Sequence, residues 1–89
     1  MLIVFDLDFT LWDCGGTYCD HTLQPYRKSA NFVIDAAGRE IKLYPEVKYI
    51  LQALQERGFK MAIASRTTSK AQAKELLSLL EIDHHFFNL

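Results

Sequence analysis

The chain has 89 residues, 49% of them hydrophobic, including six Phe, four Tyr and one Trp; this rules out a disordered segment and suits one small domain, which buries only about 60% of its extended-chain surface. Ten Lys and Arg against eleven Asp and Glu leave a net charge of −1, so neither nucleic acid nor an anionic membrane has an electrostatic claim on it. No apolar stretch approaches the ~20 residues that span a bilayer, and Asp6 comes too early for a signal peptide; a cytoplasmic protein is expected.

Leu2 to Trp12 reads LIVFDLDFTLW. Four consecutive apolar residues, Leu2 to Phe5, predict a strand buried on both faces, because a half-exposed strand would alternate. Asp6 and Asp8 follow where that strand runs out. With a side-chain period of 2 they point the same way if extension continues, so their charges converge and require a cation, a proton or hydrogen-bond donors. Two readings fit. In phosphoryl transfer, Asp6 attacks phosphorus and Asp8 exchanges the proton. In an acidic turn, both carboxylates cap local backbone amides.

From Leu11 to Leu43 there is little helical signal. Gly15 and Gly16 permit a tight turn. Cys14 and Cys19 with His21 lack the spacing of the usual paired zinc knuckles, even with His84 or His85 as a fourth ligand, and are read as free thiols. Asn31 to Ile34 and Arg39 to Leu43, joined across Asp35-Ala36-Ala37-Gly38, predict a β-hairpin. Pro45 and Glu46 open a helix whose apolar stripe is Val47, Ile50, Leu51 and Leu54, closed by Gly58.

Phe59 to Ala64 is a second apolar strand, expected parallel to the first through a right-handed crossover. Both carboxyl ends then lie on one sheet edge, where ligands bind in open α/β folds. At the second end, Ser65 offers a phosphate its hydroxyl and amide, and Arg66 offers charge; Ser69 with Gln72 fits a capping box for a helix from about 69 to 80. Ile82 to Leu89 begins another element. His84 and His85, adjacent in what reads as an extended segment, point to opposite faces and make no metal pair.

Three stretches in order carry a resemblance: FDLDFTLW at the start, LYPEV at Leu43 to Val47, and ASRT at Ala64 to Thr67. Asp6, Asp8 and Thr10 after an apolar strand match the D-x-D-x-T motif, and the chain resembles the haloacid dehalogenase-like hydrolases, in particular their magnesium-dependent phosphatases. The resemblance implies an α/β fold, a Rossmann-like three-layer sandwich with a parallel sheet and a β-hairpin flap after strand 1, inserted at about 11–43. It implies a phosphomonoesterase in which Asp6 is the nucleophile, Asp8 the acid/base, and Thr10, Ser65 and Arg66 bind phosphate or substrate. Mg²⁺ would be held by Asp6 and the main-chain carbonyl of Asp8. Phosphotyrosine-like or sugar-phosphate substrates follow, with Trp12, Tyr18, His21, Tyr26, Arg27 and Lys28 of the flap available for contact.

The family's later Lys and acidic metal ligands have no match here: Lys60, Lys70 and Lys74 stand in a strand and a helix, and Asp83 precedes its element. The expectation is therefore a partial domain, with an open sheet edge through which it could self-associate. Two other readings stay in view: a non-catalytic half-domain completed by another chain, and a receiver-like module that accepts a phosphoryl group without turnover.

Overall fold

The computed structural model describes residues 2–88, so Leu89 lies outside the described residues. Strand β1 (Leu2–Phe5) pairs in parallel with β6 (Lys60–Ile63), in the register Leu2 with Lys60 through Phe5 with Ile63. The Ala64 amide donates to the Phe5 carbonyl at 2.9 Å and carries the pairing one residue further. Phe86 forms a parallel bridge to Met61 on the far side of β6, the start of the predicted third element. Both crossovers therefore step the same way across the sheet. Right-handed connections in one direction put both helices on one face.

That explains a departure from expectation at β1. Ile3 and Phe5 pack on the core, whereas Leu2 and Val4 are 51% and 53% exposed. Among the described residues the strand is covered on one face rather than two. No described strand lies on the second edge of β1.

The crossover helices are α1 (Val47–Glu56) and α2 (Lys70–Leu79). On α1, Val47 and Leu51 are buried and Leu54 packs against the core, while Ile50 is 45% exposed and sits at the margin of the stripe. Pro45 and Glu46 form a turn before the helix instead of its first residues. At the other end Gly58 takes φ +82°, its amide bonds to Gln55, and the Phe59 amide reaches back to Leu54. This is the Schellman arrangement that a glycine beyond the last turn permits.

The flap has more strands than the predicted hairpin. β4 (Phe32–Ile34) and β5 (Glu40–Leu43) form that hairpin, with Val33 opposite Ile41. β3 (Arg27–Ser29) adds to β4 and β2 (Trp12–Asp13) to β5, all antiparallel, giving the order β2-β5-β4-β3. Val33 and Ile41 join Leu51, Met61, Leu76 and Leu77 in a single buried cluster.

Two local expectations are corrected. Ser69 makes no side-chain cap on α2; its amide instead donates to the Thr67 hydroxyl at 3.0 Å, and Gln72 reaches the Thr22 carbonyl. His84 and His85 lie in a 3₁₀ turn (Asp83–His85), which brings their rings to 4.1 Å instead of sending them to opposite faces.

Candidate active site

β1 ends at Phe5 and the chain alternates for three residues more. Leu7 turns into the core at 1% exposure, and Asp6 and Asp8 on either side of it turn toward a common cavity. Phe9 then takes φ +60°, and the amides of Thr10, Leu11 and Trp12 all converge on the Leu7 carbonyl at 3.1, 2.9 and 3.4 Å. This reversal breaks the period of 2 before Thr10. Thr10 is exposed in the turn and lies outside the cavity lining.

The cavity, of about 300 Å³, is lined by Asp6, Asp8, Tyr18, Asp20, Ser65, Arg66 and Thr67. The ends of two parallel strands thus bring together an acid pair and a hydroxyl–guanidinium pair 57 or more positions apart in sequence. Of the residues assigned to the reaction, the phosphate or the metal, Thr10 alone is outside the lining.

The two carboxylates are held differently. Asp6 Oδ1 accepts the Leu7 amide at 2.8 Å, and the residue is otherwise open to solvent. Asp8 Oδ1 accepts the indole N–H of Trp12 at 2.9 Å and the Cys19 amide at 2.8 Å, with the Cys14 thiol at 3.9 Å. All these donors meet one oxygen, which fixes the carboxylate and leaves Oδ2 for other work. Among the described residues no backbone amide is bonded to the Asp8 carbonyl.

The six flap residues available for substrate contact are placed differently, and burial takes Trp12 out of that set. Trp12 has no exposure at all, because its ring is core and its N–H serves Asp8. Tyr26 is half-buried and shares a 2.6 Å hydrogen bond with Thr22; burial pushes its hydroxyl up. Lys28 is paired with Glu81 at 2.6 Å. His21 is exposed, beside Thr17 at 2.8 Å, and Arg27 is exposed on β3. Tyr18 alone of the six lines the cavity; it is 55% exposed and meets Phe9 edge to face with ring centroids 5.4 Å apart.

Cys14 and Cys19 are both free and fully buried. Burial, reinforced by the charge of Asp8, pushes the Cys14 thiol far up and the Cys19 thiol up to about 12. Held protonated, neither is available as a thiolate, and among the described residues no three His, Cys, Asp or Glu side chains gather around a metal position.

Two lining residues, Asp20 and Thr67, carry no local sign of a role. Asp20 belongs to a 3₁₀ turn of the flap (Cys19–His21), yet its carboxylate bonds Thr67 and Thr68 beyond β6. The hydroxyl of Thr67 first, then the Thr68 amide, hold it below the usual carboxylate range. Beside the site, a second cavity of about 430 Å³ shares Ser65 and Thr67 and is bounded by Lys70, Lys74, Leu77 and Asn88.

The oxygen donors here suit a hard cation. Mg²⁺ binds commonly through one or two carboxylates with waters and substrate phosphate rather than an all-protein cage, and Asp6 with the unbonded Asp8 carbonyl fits that pattern. Among the described residues no helix is long and apolar enough to cross a membrane.

The chain is 40% identical over 87 residues to a Homo sapiens protein named Magnesium-dependent phosphatase 1, an overlap covering 96% of this chain and 48% of that relative. A Schizosaccharomyces pombe protein named as a member of the HAD-like hydrolase superfamily is 35% identical over 81 residues, covering 90% of this chain and 47% of the relative. The chain thus spans about half the length of the curated relatives it matches. A family model described as Acid Phosphatase matches residues 1–88. The chain belongs to the acid phosphatase family of haloacid dehalogenase-like hydrolases.

Proposed function

We propose that this chain carries the nucleophile half of a magnesium-dependent phosphomonoesterase. The observation behind this reading is the single cavity where Asp6 and Asp8 face Ser65 and Arg66 at the carboxyl ends of two paired parallel strands. Asp6 is the more open carboxylate and is assigned the attack: its oxygen bonds to phosphorus as the phosphorus–oxygen bond of the ester breaks. Asp8, pinned through Oδ1, gives the leaving oxygen a proton from Oδ2 and later takes one from the water that hydrolyses the aspartyl phosphate. Ser65 donates its hydroxyl to the phosphoryl oxygens and Arg66 offsets their charge. Thr10 supports the turn that presents the pair. Mg²⁺, held by Asp6 and the carbonyl of Asp8, would screen the carboxylate from the phosphate oxygens.

Phosphotyrosine-like and sugar-phosphate esters are the substrate classes proposed. The exposed ring of Tyr18 at the cavity rim is suited to contact either. A second reading has its own observation: exposed Leu2 and Val4, in a chain spanning 48% of its relative, favour a half-domain that works only with its complement.

Hydrolysis of p-nitrophenyl phosphate by the purified chain, with Mg²⁺ and with EDTA, separates the two. Metal-dependent turnover that disappears in Asp6→Asn is the expected result; a folded, inactive chain would instead support the half-domain. Turnover that survives both Asp6→Asn and Asp8→Asn would sink the assignment of the pair.

A further inference from the structure

Asp20 ties the flap to the loop that carries Ser65. Its Oδ1 accepts the hydroxyl of Thr67, and its Oδ2 accepts from the amide and the hydroxyl of Thr68, each at 3.3 Å. Thr67 is the node of this network. Its hydroxyl also accepts the Ser69 amide at 3.0 Å, and its own amide donates to Ser65 Oγ at 3.2 Å. An oxygen that accepts an amide on one side directs its own proton away from that amide. Thr67 therefore sets which way the Ser65 hydroxyl can donate, and Asp20 sets Thr67.

The same 3₁₀ turn reaches the acid pair. Cys19, next to Asp20, donates its amide to Asp8 at 2.8 Å and places its sulfur 3.8 Å from the Thr67 hydroxyl. One three-residue turn of the flap thus holds groups at the ends of both β1 and β6.

A third carboxylate in a cavity meant for a phosphate dianion is electrostatically adverse. Its presence there is explained if its bonds, not its charge, are what the site uses. We infer that Asp20 is a positioning residue, acting through Thr67 to aim the Ser65 hydroxyl at the phosphoryl group. The inference rests on the phosphatase reading for its kinetic consequence but not for the hydrogen-bond network itself.

The test uses Asp20→Ala, Asp20→Asn and Thr67→Val. Asparagine keeps an acceptor for the Thr67 hydroxyl and loses the charge; valine keeps the shape of threonine and loses the hydroxyl. With p-nitrophenyl phosphate and Mg²⁺, Asp20→Ala and Thr67→Val are expected to raise KM about tenfold with kcat changed less than about threefold, and Asp20→Asn to stay within about threefold of wild type in both. Independently of turnover, amide exchange followed by NMR should quicken at Thr67 and Ser69 in Asp20→Ala and Thr67→Val, but not in Asp20→Asn. An asparagine variant as impaired as alanine would show that an acceptor for the Thr67 hydroxyl is not enough and would overturn positioning through Thr67. So would unchanged protection of Thr67 and Ser69 in Asp20→Ala. Should Asp20→Ala fail to fold, Thr67→Val carries the same two readouts. If the wild-type chain shows no turnover, the half-domain reading is favoured, while the exchange rates still decide for or against the clamp.

Discussion

Asp35 is 4% exposed, yet its carboxylate accepts amides from Leu23 at 2.9 Å, Ala37 at 3.0 Å and Arg39 at 2.7 Å, and the Arg39 guanidinium at 3.2 Å. Burial alone would push its carboxyl up; the bonds from Leu23 and Arg39 outweigh that and hold it below the usual range. A depressed folded-state value means that the stabilisation is complete above the unfolded-state value of about 3.9 and is lost as pH falls through the lower folded-state value. Asp35→Asn loses a charged acceptor for two or more donors and should cost about 2–3 kcal/mol at neutral pH. Urea unfolding should show that gap at neutral pH and a narrowing gap as the buffer is taken below the unfolded-state value. A gap of constant size would mean that Asp35 acts by packing and not by charge. The turn around Gly38 was readable in the sequence, and Ala37 and Arg39 donate to Asp35 from within it, but the bond that ties this turn to Leu23 was not, because Leu23 arrives from another part of the flap. Asp6 and Asp8 were readable for the opposite reason: their convergence depends only on the strand period, and it fails at Thr10, where the left-handed Phe9 ends the strand geometry. Asp20 was not readable at all, since its partners lie 47 and 48 residues away.

At the scale of elements, the signals that survived are those in which local chemistry and packing agree. Gly58 is one. Its φ of +82° closes α1, and a Cβ built there would meet nothing within 4 Å. Gly58→Ala therefore carries a conformational cost without a clash, about 1 kcal/mol, which for a domain of this size lowers Tm by roughly 4–8 °C. Gly58→Asn should lose less, because asparagine tolerates the left-handed region better than alanine does. Thermal melts by circular dichroism check the order glycine, asparagine, alanine; alanine equal to glycine would show that the Schellman turn is not what ends the helix. Signals that failed were those with a competing partner nearby. The Ser69 to Gln72 spacing fits a capping box, but the Thr67 hydroxyl reaches the Ser69 amide first and the Thr22 carbonyl draws Gln72 away. β3 reads Arg27-Lys28-Ser29, with no apolar alternation to announce it, and exists because β4 offers it an edge.

For the whole molecule, the question is whether flap and parallel unit are one cooperative body. Among the described residues they are separate sheets, β2-β5-β4-β3 and β1-β6, linked only by an isolated bridge between Asp8 and Trp12. Their side chains, however, form one cluster: Trp12, Val33 and Ile41 from the flap are buried with Leu51, Met61, Leu76 and Ile82 from the parallel unit. A chain this small has a total stability on the order of 5–15 kcal/mol or less, so neither half has a core of its own large enough to stand alone. Trp12 is the only tryptophan, lies at the junction and is fully buried, so its fluorescence reports the flap while far-UV circular dichroism is weighted to α1 and α2. The two probes should give coincident denaturant midpoints. Ile41→Ala in β5 and Leu76→Ala in α2, each expected to cost about 2–5 kcal/mol, should move both transitions together. If Ile41→Ala shifted only the Trp12 signal, the flap would be an independently melting lid. The Asp20 clamp would then operate on a segment already free to leave the site, and the shared cluster would be contact without coupling.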